Sequence, residues 1–203
     1  MFTQGISFTN FIIKKKKLVL KKNLKSILKE KNEVICSLSN SYKDSFSKKN
    51  LKHFNKRFDY RIIGMGGSTL GAQAIYDFLK KKIKKNFTFV DNLNVFKNKK
   101  LTKNFNNLII SKSGNTTETI VNTNILIKKK DKNLFITEKK NSYLSLLAKK
   151  LKAEVVDHNN YIGGRYSVLS EVGMLPAELM GLNYKKFRQL NNLVKNKFSM
   201  KAL

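Results

Sequence analysis

Tyr60-Arg61-Ile62-Ile63-Gly64-Met65-Gly66-Gly67-Ser68-Thr69-Leu70-Gly71 is a short apolar run that breaks on glycine and resumes with a helical pattern. Such a run, bounded by glycine, predicts a buried strand near 60–64. Four later stretches have the same character: Phe87 to Val90, Asn107 to Ser111, Asn133 to Thr137 and Ala153 to Asp157. Helical patterns occupy about 69–85, 116–129 and 142–151, and the 91–106 connection has no clear period. Strands alternating with helices predict an α/β domain, a three-layer αβα sandwich whose parallel sheet is covered on both faces. Ligands of such sheets bind beyond the carboxyl ends of the strands. The loops after the first, third and fifth strands are therefore the ones to read for chemistry.

After the first strand, Gly64 to Gly71 imitates a dinucleotide fingerprint but fails it. Thr69 stands where G-x-G-x-x-G needs its third glycine, and Asp91 is too far on to close the second strand. No Lys-Ser/Thr pair makes it a P-loop. What remains is a glycine turn with Ser68 expected at a helix N-cap, where free amides and the helix dipole favour an anion. After the third strand, Ser111-Lys112-Ser113-Gly114-Asn115-Thr116-Thr117-Glu118-Thr119 packs five hydroxyls, an ammonium and a glycine into nine residues. That donor density suits a phosphate dianion, and Asn115-x-x-Glu118 predicts a capping box that orders the same amides. After the fifth strand, Tyr161-Ile162-Gly163-Gly164-Arg165-Tyr166-Ser167-Val168-Leu169-Ser170 sets an arginine behind two glycines. Glycine allows positive φ and close approach, and the guanidinium offers an oxyanion a rigid five-donor fork.

The chain has 203 residues, with 42 Lys+Arg against 13 Asp+Glu and a net charge of +29. Such a charge raises the possibility of a nucleic-acid partner. Arginine, however, stands only at Arg57, Arg61, Arg165 and Arg188, and the lysines are spread evenly among Asn and Ile. That pattern fits an AT-rich coding sequence better than a binding surface, so no nucleic-acid partner is expected. One cysteine, Cys36, excludes an intrachain disulfide and fits a reducing compartment. His53, His158 and Cys36 have no metal-site spacing. No apolar window reaches the roughly 20 residues of a membrane helix, and a cytoplasmic location is expected.

The three motifs resemble a known family. Ser111-Lys112-Ser113-Gly114-Asn115-Thr116-x-Glu118 is similar to the phosphosugar signature of sugar isomerase (SIS) domains. Gly64-x-Gly66-Gly67-Ser68-x-Leu70-Gly71 and Gly163-Gly164-Arg165-Tyr166-Ser167-x-Leu169-Ser170-x-Val172-Gly173 resemble the phosphoglucose isomerase family in particular. The resemblance covers about 58–182. It implies a flavodoxin-like five-stranded sheet, a homodimer at full length, a sugar phosphate substrate and no cofactor. It implies interconversion of glucose 6-phosphate and fructose 6-phosphate through a cis-enediolate, in glycolysis and gluconeogenesis. It places Gly67, Ser68, Ser111, Lys112, Ser113, Thr116 and Gly164 in substrate and phosphate binding. Arg165 would face the developing enediolate charge, which a fixed cation stabilises, and Glu118 would support a catalytic histidine.

The family's proton-shuttling glutamate and its ring-opening histidine and lysine lie beyond the Gly-Gly-Arg block, and no residue here matches them. The organisation expected is a helical arm over 1–58, an SIS-like domain over 59–182, and a helix over 183–203 leading to a further half. Without that half, Met174, Leu175, Leu179 and Met180 are expected to form an exposed apolar patch. The alternative reading is a non-catalytic phosphosugar-binding module.

Overall fold

The computed structural model describes residues 18–27, 29–30, 32–48, 51, 54, 59–93, 105–128 and 130–188. They fall into two compact units, one of residues 43–184 and one of residues 1–42 with 185–203. The smaller unit contains α1 (Leu18–Ile27) and α2 (Glu33–Ser37), the latter capped by Asn32, whose side chain accepts from the Val34 amide at 2.9 Å. In the expected helical arm, the side chains of Leu18, Leu20, Leu24 and Leu28 lie outside the described residues. So do the 94–104 connection and the helix expected beyond residue 188.

The larger unit is built on one sheet. Its strands are β1 (Asp59–Gly64), β2 (Asn86–Val90), β3 (Asn106–Ile110), β4 (Lys132–Thr137) and β5 (Glu154–Asp157). They run in the order β2-β1-β3-β4-β5, with every neighbouring pair parallel. All five residues of β3 are buried, as a central strand covered on both faces requires. The chain moves outward in one direction to β2 and then returns past β1 to β3. The strand order therefore reverses between β1 and β3, where open α/β sheets bind their ligands.

Three long helices separate the strands: α3 (Gly67–Leu79), α4 (Thr117–Leu126) and α5 (Tyr143–Lys150). Ile63, Ile109, Phe135, Leu126 and Leu144 form the core beneath two of them. The helix expected over 69–85 starts two residues earlier and stops short: Lys80–Lys82 tighten into a 3-10 turn and Ile83 is already extended. At the amino end of the sheet, buried polar side chains are only partly paired, and the Oδ1 atoms of Asn106 and Asn107 have no partner among the described residues. Arg61 donates to the Leu126 carbonyl at 2.9 Å and lies over the Phe105 ring, and Asn107 donates to Asp131 and Asn133.

The expected apolar patch is overturned. Met174, Leu175 and Leu179 are 0% exposed and Met180 3%. The first three belong to α6 (Glu171–Leu179) and Met180 is its C-cap; the helix is apolar nearly all round and packs against α3 within the same unit. A helix of that composition is stable only when enclosed. Exposed apolar residues are instead scattered over several elements, among them Leu70 and Phe78 on α3, Ile125 on α4 and Leu146 on α5, with Phe78 88% exposed.

Candidate functional site

Three loops leave the carboxyl ends of β1, β3 and β5. The first opens α3, and its geometry differs from the expected one. Gly66 is the N-cap, with φ 54, and the helix begins at Gly67. Ser68 is thus inside the first turn and not the cap, since its amide already closes a turn onto the Met65 carbonyl at 3.1 Å. Gly67 is packed main chain to main chain against the third loop. A Cβ built on it would lie 2.2 Å from the Gly164 carbonyl oxygen and 3.0 Å from the Arg165 nitrogen. Ser68 is packed toward the second loop: a Cβ on Gly64 would sit 3.0 Å from the Ser68 Cβ and 2.8 Å from the carbonyl oxygen of Ile110. Ile110 immediately precedes Ser111.

In the second loop four of the five hydroxyls separate by role. Ser111 is buried, accepts from the Gly114 amide at 3.2 Å and pairs with the Thr116 hydroxyl at 3.0 Å. Thr119 is buried, and its hydroxyl has no partner among the described residues. Ser113 accepts from the Asn115 amide at 3.2 Å and is half-buried, as is Thr116. Gly114 holds φ +66, and a Cβ there would strike the Ser142 hydroxyl at 2.1 Å, so the turn requires glycine. The expected capping box is absent. Thr116 occupies the N-cap without a side-chain bond to the helix amides, and the Asn115 amide oxygen accepts from the Tyr143 amide at 2.9 Å, tying the loop to α5. A capping box exists one helix later, where Ser142 and Ser145 bond reciprocally. Glu118 lies in the first turn of α4, half-buried, with no ion pair to a described residue.

Lys112 spans two loops. Its ammonium donates to the Asn160 carbonyl at 2.6 Å and lies 3.6 Å from Glu138. Burial pushes the Glu138 carboxyl up, but Lys140 at 2.5 Å and Lys112 outweigh that and hold it below its usual value.

The third loop is a 3-10 helix over Gly164–Leu169 with Gly163 as N-cap. The two glycines do not use positive φ: Gly163 has φ −70, and among the described residues only Gly66, Gly114, Gly181 and Lys152 lie in the left-handed region. The close approach that demands glycine falls on Gly67. Ser167 donates to the Gly164 carbonyl at 2.6 Å, fixing the turn. Arg165 is exposed and makes no hydrogen bond or ion pair to a described residue.

Two buried groups here were not singled out by the sequence motifs. His158 and Glu171 are each 1% exposed and stand 4.0 Å apart. Burial pulls the imidazole below its usual pKa; the Asn159 carbonyl, Glu171 and Glu138 oppose this and Lys112 reinforces it. A histidine held neutral by burial binds fewer protons folded than unfolded just below its reference value of 6.5. Stability should therefore be complete above pH 6.5 and fall as pH drops through that value, by at most about 1.4 kcal/mol per pH unit. The depressed Glu138 acts in a lower window, its contribution present above 4.5 and lost as pH falls through its folded value. Urea unfolding at pH 7.5, 6.0 and 5.0 should show the first slope, and His158→Gln should flatten it. Parallel profiles for parent and variant would show that His158 is not its source.

The described residues contain no group of three or more His, Cys, Asp or Glu able to hold a metal, and no helix long and apolar enough to cross a membrane. A cleft of about 550 Å³ lined by Asp131, Lys132, Lys150 and Glu154 lies at the amino ends of β4 and β5, away from the three loops.

A parallel sheet in this order, with loops from β1 and β3 leaving at its reversal point, makes the 43–184 unit a doubly wound α/β domain of the flavodoxin-like type. The tagatose-6-phosphate ketose/aldose isomerase of Escherichia coli shares this fold, with a TM-score of 0.55 and 15% identity over 79% of this chain and 50% of that one. Residues 17–200 match the family description "Phosphoglucose isomerase", and the chain belongs to that family. It is similar to the glucose-6-phosphate isomerases of Acholeplasma laidlawii (34% identity over 67% of this chain) and Methanocaldococcus jannaschii (34% over 79%). It spans 37% and 44% of the length of those two relatives.

Proposed function

We propose that this chain carries the phosphate cradle and the glycine-arginine loop of a glucose-6-phosphate isomerase, an aldose–ketose isomerase of glycolysis and gluconeogenesis. The observation that carries the reading is the packing of Gly67 directly on Gly164 and Arg165, with Ser68 beside the start of the Ser111 loop. Three donor loops thereby meet at the sheet's reversal point. In this reading Ser68, Ser113, Thr116 and the first amides of α3 and α4 receive the phosphate, Ser111 and Lys112 shape and charge the cradle, and Gly164 borders the sugar. Arg165 stabilises the enediolate oxygen, because its charge cannot be lost to the intermediate. Glu118 supports the acid–base group. The phosphosugar domain is 59–182, and the full-length enzyme is a cytoplasmic homodimer.

Thr116→Ala tests the cradle. The Thr116 hydroxyl is held by Ser111 and stands at the α4 N-terminus, so it is oriented before any anion arrives. A hydrogen bond to a charged group contributes roughly 1.5–3 kcal/mol, so glucose 6-phosphate affinity should fall about tenfold or more. Calorimetry that finds equal affinity in parent and variant, or none in the parent, contradicts the proposal.

A further inference from the structure

The carboxylate of Glu171 is buried in the first turn of α6, and it accepts from the Asn159 amide at 2.7 Å. Two features make a buried carboxylate tolerable there. The amino end of a helix favours negative charge, and the charge is hydrogen-bonded. Ser170, the N-cap, accepts from the Val172 amide and fixes the helix start, so the carboxylate is presented from a rigid base. His158 completes the enclosure, with Nδ1 3.0 Å from the Asn159 carbonyl. A ring nitrogen facing a carbonyl is a donor position.

The bond joins residue 159 to residue 171 and so closes the segment that carries the third loop. Within it, the Asn159 side chain accepts from the Tyr161 amide at 2.9 Å, and Ile162 is fully buried. Asn160, next to the tethered amide, supplies the carbonyl that holds the Lys112 ammonium. Gly164 and Arg165 follow at the end of the same short run. Both cations assigned to the phosphosugar site thus depend on where this segment stands.

We propose that Glu171 is a positioning residue. By holding the Asn159 amide it sets Lys112 through the Asn160 carbonyl and Arg165 through the segment that leads to it. This rests on the phosphosugar reading above for its functional consequence, but the tether can be measured without ligand. Two conservative variants separate reach from charge. Glu171→Gln keeps the length of the side chain and an acceptor oxygen. Glu171→Asp keeps the charge at the helix terminus but withdraws it by one methylene.

The 203-residue chain and both variants would be followed by amide hydrogen exchange at Asn159 to Ile162 and by calorimetry with glucose 6-phosphate. Glu171→Asp should speed exchange at these amides at least tenfold and weaken affinity about tenfold. Glu171→Gln should stay within about threefold of the parent in both. The reverse order, Asp preserving and Gln losing, would assign the effect to charge and overturn the proposal. Altered exchange with unaltered affinity would overturn it as well, since the tether would then not set the cations. If exchange follows the expected order while even the parent chain fails to bind glucose 6-phosphate, the tether stands and the phosphosugar reading fails.

Discussion

Gly67→Ala should abolish measurable glucose 6-phosphate binding and destabilise the 43–184 unit, whereas Gly163→Ala should do neither. The two glycines look equally prominent in the sequence, each belonging to a Gly-Gly pair. Their surroundings differ. A Cβ on Gly67 would stand 2.2 Å from the Gly164 oxygen and 2.3 Å from its carbonyl carbon, and both are main-chain atoms that cannot rotate away. The collision can be relieved only by moving the 3-10 helix that carries Arg165 or the first turn of α3. Overpacking of this kind costs about 1–3 kcal/mol and occasionally more. A Cβ on Gly163 would find its nearest neighbour, the Tyr166 ring, at 3.8 Å, and φ −70 suits alanine. There the loss of unfolded-state freedom could even add a few tenths of a kcal/mol. Urea midpoints and calorimetry on the two variants decide the matter. Equal midpoints would mean that the loops of β1 and β5 are not in contact as described.

Most of the fold was legible because it rests on local signals. Ile62-Ile63 and Leu108-Ile109-Ile110 are apolar runs too short for helices, and they are buried on both faces. Their alternation with helices left a parallel sheet as the consistent arrangement. The errors arose where a local rule met a non-local partner. Ser68 is a favourable cap residue, but Gly66 takes the cap because its positive φ turns the chain first. Asn115 and Glu118 have capping-box spacing, yet Asn115 is drawn to the Tyr143 amide, 28 residues on. Met174, Leu175, Leu179 and Met180 were expected on the surface because a further half of the protein was expected to cover them. Their partner is α3, about a hundred residues earlier.

The candidate site was legible in its residue types but not in its wiring. The dense hydroxyls of 111–119 mark an anion site by composition. Composition does not say that Thr119 turns inward or that Ser111 braces Thr116. Lys112 was expected at the phosphate, and in the fold its ammonium also bridges Asn160 and Glu138. The Glu171–Asn159 bond had no sequence signal, since an acidic residue at a helix start is ordinary and its acceptor role depends on the path of the β5 loop. The Lys112 contacts run between loops from different strands, which spacing along one segment cannot encode.

The 203-residue chain should bind glucose 6-phosphate without exchanging its C2 proton. Isomerisation requires a base within about 3 Å of both C1 and C2. The carboxylates near the three loops are largely committed. Glu138 is held between Lys112 and Lys140, and its depressed pKa makes it a weaker base. Glu171 is buried and its carboxylate accepts from the Asn159 amide. Glu118 remains, half-buried at the start of α4 and without an ion pair to a described residue. In the proposed reading it supports the acid–base group and does not itself contact C1 or C2. Arg165 alone can stabilise an enediolate that forms but cannot remove the proton that forms it. Incubation with glucose 6-phosphate in heavy water, followed by proton NMR, should show a C2 signal that decays no faster than in buffer, while calorimetry on the same sample reports binding. Decay above the buffer rate would place a working base within these residues. Glu118→Gln would then be the variant to make: if it restored the buffer rate, Glu118 would be the base and its assigned supporting role would be wrong.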